Sequence, residues 1–303
     1  MLKITADIFS GRPNPKWIVT EDDARQILEQ VSKNTDSIDF SDTRMLGLGY
    51  RGLILEPVSE DLPRDLRLPT GFRVSNTTAA GQQISKRIIE SMSSTALPHI
   101  HSGGTDLTDV QHLLKQENAV LRPMVPAQVT MTSDQIQQHI KLLQASIDFL
   151  SQAGCNHEEV AFDPNFWNDP SHVGHNNCYN FSTNRRTDTF AQPGRASGQM
   201  FTSVDCEAVK AAAIRDGAIT PSPCPPDDQI PRYWIALVIA PNWPDYHWYR
   251  RCSDGFWAHK PGGTPARNTD NSGQIILDPE NCNRGPYTDF CGYLYTQKKM
   301  NVN

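Results

Sequence analysis

Short runs of alternating apolar and polar residues recur along the chain, and this alternation is typical of half-buried β-strands. In the first hundred residues the pattern predicts strands at 2–9, 16–20, 45–57 and 71–76, with the turn-rich segment SGRPNP (10–15) after the first. Thr20 followed by Asp23 resembles a capping box and predicts a helix that ends near Val31. A second helix is predicted at 83–94. These elements indicate a mixed α/β module.

A longer helical pattern follows a linker that carries one short helix at 106–117. In residues 133–153 apolar residues recur at steps of three and four, and Gly154 ends the pattern. Beyond it, Asp205 can cap a helix that runs through Ala213 and stops by Gly217, and strands are predicted at 233–240, 245–252, 256–260, 274–278 and 287–296. The sequence therefore predicts an α+β protein, with an N-terminal module and linker at 1–125 and a helix plus a second domain at 126–303.

Composition and charge exclude several classes of partner. Of the 303 residues, 38% are hydrophobic and 20% charged, and the net charge is −6 with the basic residues scattered, which argues against nucleic acid as a partner. Apolar runs such as WIALVIA (234–240) are too short to cross a bilayer, so no transmembrane segment is predicted. The N-terminus lacks the apolar stretch of a secretory signal, which favours a cytoplasmic protein, a mature form or non-classical export.

The chain has seven cysteines, at positions 155, 178, 206, 224, 252, 282 and 291. None forms a C-x-x-C pair, which argues against a zinc ribbon. Without a signal sequence we expect reduced thiols, although the six cysteines other than Cys178 could pair. Histidines in HIHSGG (99–104), with His172 and His175, lack carboxylate ligands at fixed spacing. No metal and no cofactor are therefore predicted.

Cys178, in the stretch HNNCYNFSTN (175–184), is the candidate nucleophile. Asn176 or Asn177 can cap a helix that places Cys178 in its first turn, where unpaired N–H groups favour an anion and lower the pKa of a thiol. The backbone N–H of Cys178 would help to form an oxyanion hole, with Asn177 and His172 nearby.

The candidate base comes from a predicted hairpin around Asp254-Gly255. A two-residue loop pairs Arg250 with His259 and places His247 on the opposite face of the sheet, so that only one histidine can reach Cys178. His259 is the predicted base and His247 the alternative. Asp278, at the end of the predicted strand 274–278, is the predicted third member of a triad, with Asp270 as its rival.

The order of cysteine, histidine and aspartate over about residues 160–296 resembles the papain-like cysteine hydrolases, which include the NlpC/P60 amidases and bacterial effector proteases. The stretch ILDPEN (276–281) is similar to a strand end in the effector branch. The resemblance implies a papain-like domain in which a helix bearing Cys178 packs on an antiparallel sheet. It also implies a cysteine peptidase or amidase acting on a peptide, protein or other amide, by hydrolysis or by acyl transfer to an amine.

In that scheme Cys178 attacks the carbonyl, His259 takes its proton and Asp278 orients His259. The sequence departs from the family where Asn177-Cys178-Tyr179 stands in place of Asp-Cys-Ser, and where no glutamine precedes the cysteine. The alternative hypothesis is a non-catalytic binding or toxin-like module with a disulfide-rich C-terminal region. In that case Cys178 is paired or buried. Neither the substrate nor the oligomeric state follows from the sequence.

Overall fold

The computed structural model describes residues 1–39, 47–58, 68–69, 71–74, 76–92, 107–120, 141, 157–221 and 229–303. The chain divides into two compact units. The first comprises Met1–Phe9 and Pro13–Met124, and the second comprises Ser10–Arg12 and Val125–Asn303. Three residues from near the N-terminus thus belong to the second unit, a feature that the sequence analysis did not anticipate.

The first unit contains a five-stranded antiparallel sheet in the order β2-β1-β4-β5-β3. Its strands are β1 (Leu2–Ala6), β2 (Lys16–Val19), β3 (Ile38–Asp39), β4 (Leu53–Pro57) and β5 (Phe72–Val74), and its helices are α1 (Glu21–Lys33), α2 (Ala79–Glu90) and α3 (Leu107–Asn118). The predicted cap of α1 is present, because the side chain of Thr20 accepts a hydrogen bond from the N–H of Asp23.

The second unit contains a four-stranded antiparallel sheet in the order β8-β7-β6-β9. Its strands are β6 (Trp234–Ala240), β7 (Asp245–Arg251), β8 (Trp257–His259) and β9 (Asp289–Tyr295), and its helices are α4 (Pro164–Trp167), α5 (Cys178–Ser182) and α6 (Cys206–Asp216). The helix α5 packs on β7, and α6 packs on β6 and β9. Helices and antiparallel sheets confirm the predicted α+β class.

One face of this sheet, together with α5 and α6, encloses an apolar core. It includes Leu237, Trp248 and Leu294 from the sheet and Val209 and Ala213 from α6. Because side chains alternate across a strand, the neighbours of Trp248 in β7 point to the other face. That second face carries His247 and Tyr249, which are also fully buried or nearly so.

A disulfide joins Cys206, at the start of α6, to Cys291 in β9. The expectation of reduced thiols is therefore wrong for this pair, although Cys178, Cys252 and Cys282 are free. The remaining two cysteines lie outside the described residues. None of the described helices has the length and apolar character needed to cross a membrane.

The prediction of a strand at 274–278 is wrong. Residues 274–278 form no strand of the sheet. Only isolated bridges occur there, between Ile276 and Trp257 and between Ile275 and Thr269. The helix predicted at 133–153 falls almost wholly outside the described residues.

Candidate functional site

The N-terminus of α5 has the cap that the sequence predicted. The side-chain oxygen of Asn177 accepts hydrogen bonds from the N–H groups of Tyr179 and Asn180, both at 3.1 Å, and Asn180 accepts one from the N–H of Asn177 at 3.2 Å. This reciprocal arrangement is a capping box. Cys178 therefore occupies the first residue of a helix, as expected.

Its surroundings are nevertheless those of a structural thiol. Cys178 is completely buried in the apolar core beside Tyr246 and Trp248. Burial, followed by the negative charge of Asp245, raises the pKa of the Cys178 thiol well above its usual value, and these effects outweigh the N–H groups and the positive charge of Lys260. The expected depression of the pKa is wrong, because removal of the thiolate from water dominates the local helix terminus.

The hairpin that follows β7 has a three-residue loop, Ser253 to Gly255, instead of the predicted two-residue loop. Cys252 donates its N–H to the carbonyl of Phe256 at 2.8 Å, and Gly255 adopts a left-handed conformation with φ of 81°. This is the geometry of a three-residue hairpin in which glycine supplies the positive φ. The observed register pairs Arg250 with Ala258, and a shift of one residue moves each side chain to the other face.

This register places both histidines on the face opposite α5. His259 pairs with Tyr249, and Nε2 of His247 lies 2.7 Å from Nδ1 of His259. On the helix side, Arg250 donates to the carbonyl of Phe181 in α5 at 2.7 Å. The sheet thus separates Cys178 from His259 and from His247, and the structure does not assemble the predicted nucleophile and base.

Both ring nitrogens of His259 have partners other than Cys178. Its Nε2 lies 3.0 Å from the carbonyl oxygen of Thr269 and 3.2 Å from Nε of Arg267, and its Nδ1 faces His247. Burial, and then the charge of Arg267, lowers the pKa of His259 well below its usual value. A neutral imidazole is the form that this site stabilises.

The two carboxylates proposed as third members also lie elsewhere. Asp278 accepts hydrogen bonds from the hydroxyl of Tyr293 at 2.5 Å and from the side chain of Asn281 at 2.7 Å. Asp270 accepts from the N–H groups of Ser272, Gln274 and Asn283, at 2.8, 3.0 and 2.9 Å. Both stabilise turns, and the described contacts of His259 include neither.

His172, predicted near the oxyanion hole, is instead hydrogen-bonded to Asp188 at a partly exposed position. Its Nδ1 is 2.8 Å from Asp188, and the side chain of Asn176 donates to the same carboxylate at 2.6 Å. Among the described residues no group of three or more His, Cys, Asp and Glu side chains is placed to hold a metal ion. The histidines at positions 99 and 101 lie outside the described residues.

Sequence analysis missed a buried polar site of the second unit, which encloses the backbone of Ser10, Gly11 and Arg12. One carboxylate, that of Asp245, accepts from all three N–H groups, at 2.6 Å from Ser10, 3.2 Å from Gly11 and 3.0 Å from Arg12. The hydroxyl of Tyr287 donates to the same carboxylate. Burial raises the pKa of Asp245, and the N–H donors oppose that rise.

The carbonyl oxygen of Gly11 accepts hydrogen bonds from three side chains. The side-chain amides of Asn177 and Gln192 each donate to it at 2.8 Å, and the hydroxyl of Tyr246 lies 3.2 Å away. We call the five residues that surround the tripeptide the Gly11 cradle: Asn177, Gln192, Asp245, Tyr246 and Tyr287. All five are at most 2% exposed. The turn signal SGRPNP was the sole sequence feature at this place, and it gave no indication of distant partners.

Insoluble matrix shell protein 1 from Ruditapes philippinarum is 46% identical to this chain over 142 residues, which are 47% of the chain and 93% of that protein. No family model matches the chain, and no solved structure matches it. The papain-like resemblance is therefore wrong, as are the cysteine hydrolase, peptidase and amidase assignments that it implied. The identity covers nearly the whole of the shell protein, and this chain belongs to the same family as Insoluble matrix shell protein 1.

Proposed function

We propose that this protein is a non-catalytic structural component of an insoluble extracellular matrix. The observation that carries the proposal is the 46% identity over 93% of Insoluble matrix shell protein 1, whose name assigns that protein to an insoluble shell matrix. The proposal replaces the hydrolase hypothesis with the alternative that the sequence had left open.

The state of the cysteines supports this proposal. The disulfide between Cys206 and Cys291 ties α6 to the edge strand β9, and disulfides persist mainly in oxidising compartments outside the cytosol. Cys178 lies in the core with a raised pKa, which suits a packing role, since free cysteine behaves as a small hydrophobe when buried.

The buried polar groups of the second unit support it as well. Lys260 is completely buried, and its ammonium group donates to the carbonyls of Val173, Asn176 and Gly262 at 2.6, 2.6 and 2.8 Å. All three protons of the ammonium group therefore form hydrogen bonds to backbone carbonyls. These three hydrogen bonds hold separate backbone segments around Lys260, and such rigidity is useful in a permanent material.

Fractionation of the native protein tests the proposal. Material from the producing organism is extracted in turn with buffer, salt, chelator and denaturant without reductant, and each fraction is probed with an antibody against the chain. We expect the protein in the residue that resists these extractions, while a cytosolic marker protein leaves in the first buffer. Recovery with the cytosolic marker would contradict the proposal.

A further inference from the structure

The Gly11 cradle has the properties of a peptide-recognition site that is occupied by a segment of the chain itself. Its lining comes from residues 177–287 and its occupant from residues 10–12, so the hydrogen-bonding partners Asp245 and Ser10 are 235 positions apart in sequence. The cradle side chains form hydrogen bonds with backbone groups of the tripeptide, as in the recognition of extended peptides. All the lining side chains are removed from water, so these polar contacts are costly to leave unmade.

The cradle also selects the residue type of its occupant. A Cβ atom on Gly11 would lie 2.4 Å from a ring carbon of Tyr246, which excludes every residue except glycine unless the ring moves. Arg12 is 1% exposed, and its guanidinium group donates to the carbonyl of Pro244. The cradle therefore selects glycine at position 11, and the neighbouring Arg12 is buried against Pro244.

We propose that Ser10–Arg12 of a second copy of this chain occupies the cradle when the protein assembles into its matrix. This inference rests on the proposed function and adds an assembly mechanism to it. Each copy carries one tripeptide and one cradle. Two copies that exchange tripeptides reciprocally form a closed dimer, whereas a copy whose cradle stays open for a third copy extends the contact into an open-ended chain.

The energetics of exchange favour this route at high protein concentration. Every hydrogen bond between the cradle and the tripeptide is re-formed with an identical group, so exchange costs no contact. The remaining bias toward the same molecule is the effective concentration of the tethered segment. Deposition into a solid raises the protein concentration and so favours contacts between copies.

Peptide competition tests this inference on the wild-type full-length chain. The average mass in solution is measured by light scattering from micromolar to millimolar protein, with and without a peptide that spans residues 6–15, ADIFSGRPNP. We expect the mass to rise with concentration and to return to that of the monomer when the peptide is in excess. The matched control peptide carries Gly11→Ala and should leave the mass unchanged, because its extra methyl group meets Tyr246.

A second measurement uses the same substitution in the chain. A tagged Gly11→Ala chain has an open cradle and should retain untagged wild-type chain on a column, and excess ADIFSGRPNP should release it, whereas an untagged Gly11→Ala chain should not be retained. Should the variant fail to fold, the peptide experiment with wild-type chain decides alone. A wild-type chain that stays monomeric, or multimers that ignore the peptide, would overturn the inference. The fractionation result for the proposed function would stand in either case.

Discussion

His247 and His259 form a buried imidazole pair, with 2.7 Å between Nε2 of the first and Nδ1 of the second. Both side chains are completely buried, and the ring of His259 also stacks on Tyr249 with 5.0 Å between centroids. The pair lies on the sheet face opposite Cys178, and burial favours the neutral form of His259 there.

This pair predicts a loss of stability in mild acid. The pKa of His259 is lowered well below 6.5 in the folded state, so below about pH 6.5 the unfolded chain binds a proton that the folded chain excludes. The free energy of unfolding should therefore fall by up to about 1.4 kcal/mol for each pH unit between pH 6.5 and the pKa of His259 in the folded state. Above pH 6.5 the contribution of His259 should not change with pH.

Urea unfolding between pH 5 and pH 8 measures this slope. His259→Gln should flatten it, because glutamine does not titrate, whereas Ser253→Ala, which removes no titratable group from the exposed hairpin loop, should leave it unchanged. An unaltered slope in His259→Gln would assign the effect to other groups.

Cys178 should resist alkylation in the native protein. Its thiol is completely buried and its pKa is raised, while the thiolate is the reactive form. Iodoacetamide at pH 8 should leave Cys178 unmodified for hours and should modify it within minutes after unfolding, as measured by mass spectrometry of peptides. Rapid modification of the native protein at pH 7 that is lost in His259→Gln would contradict the structural role.

Removal of the disulfide should destabilise the second unit. The bond joins residues separated by 85 positions, and a loop of that length corresponds to about 4.6 kcal/mol of stabilisation in the chain-entropy account. The double variant Cys206→Ser with Cys291→Ser should lower the free energy of unfolding by about that amount in urea. Cys282→Ser, at a free and half-buried cysteine, is the matched control and should change it far less.

Gly255 should be intolerant of a side chain, since it sets the hairpin register. Its φ of 81° is left-handed, a conformation that costs other residues about 1–2 kcal/mol. Gly255→Ala should reduce the free energy of unfolding by that amount, whereas Ser253→Ala in the same exposed loop should have little effect. Equal stability of the two variants would show that the loop does not depend on glycine.

Local patterns predicted much of this structure. The α+β class, the cap of α1 by Thr20 and the cap of α5 by Asn177, one of the two asparagines predicted for it, all follow from short stretches of sequence. The helix α6 likewise begins after Asp205, whose side chain caps it, and ends at Gly217. Such features depend on neighbours within a few residues, where pattern and structure are closely related.

The candidate site could not be predicted in the same way. An Asp-Gly pair is compatible with two-residue and three-residue loops, and the difference of one residue decided whether His259 faced Cys178. The pKa of Cys178 depended on packing around the helix, which a cap does not reveal. The Gly11 cradle depends on contacts across at least 166 positions of the chain, and no local pattern encodes them.

The membership of Ser10–Arg12 in the second unit has a practical consequence for dissecting the protein. A fragment that begins at Val125 would carry an interior carboxylate, Asp245, without the three backbone donors that solvate it. Such a fragment is a receptor that lacks its ligand. The ten-residue peptide of residues 6–15, added to this fragment, should therefore stabilise its folded state, as a cofactor stabilises an apoprotein.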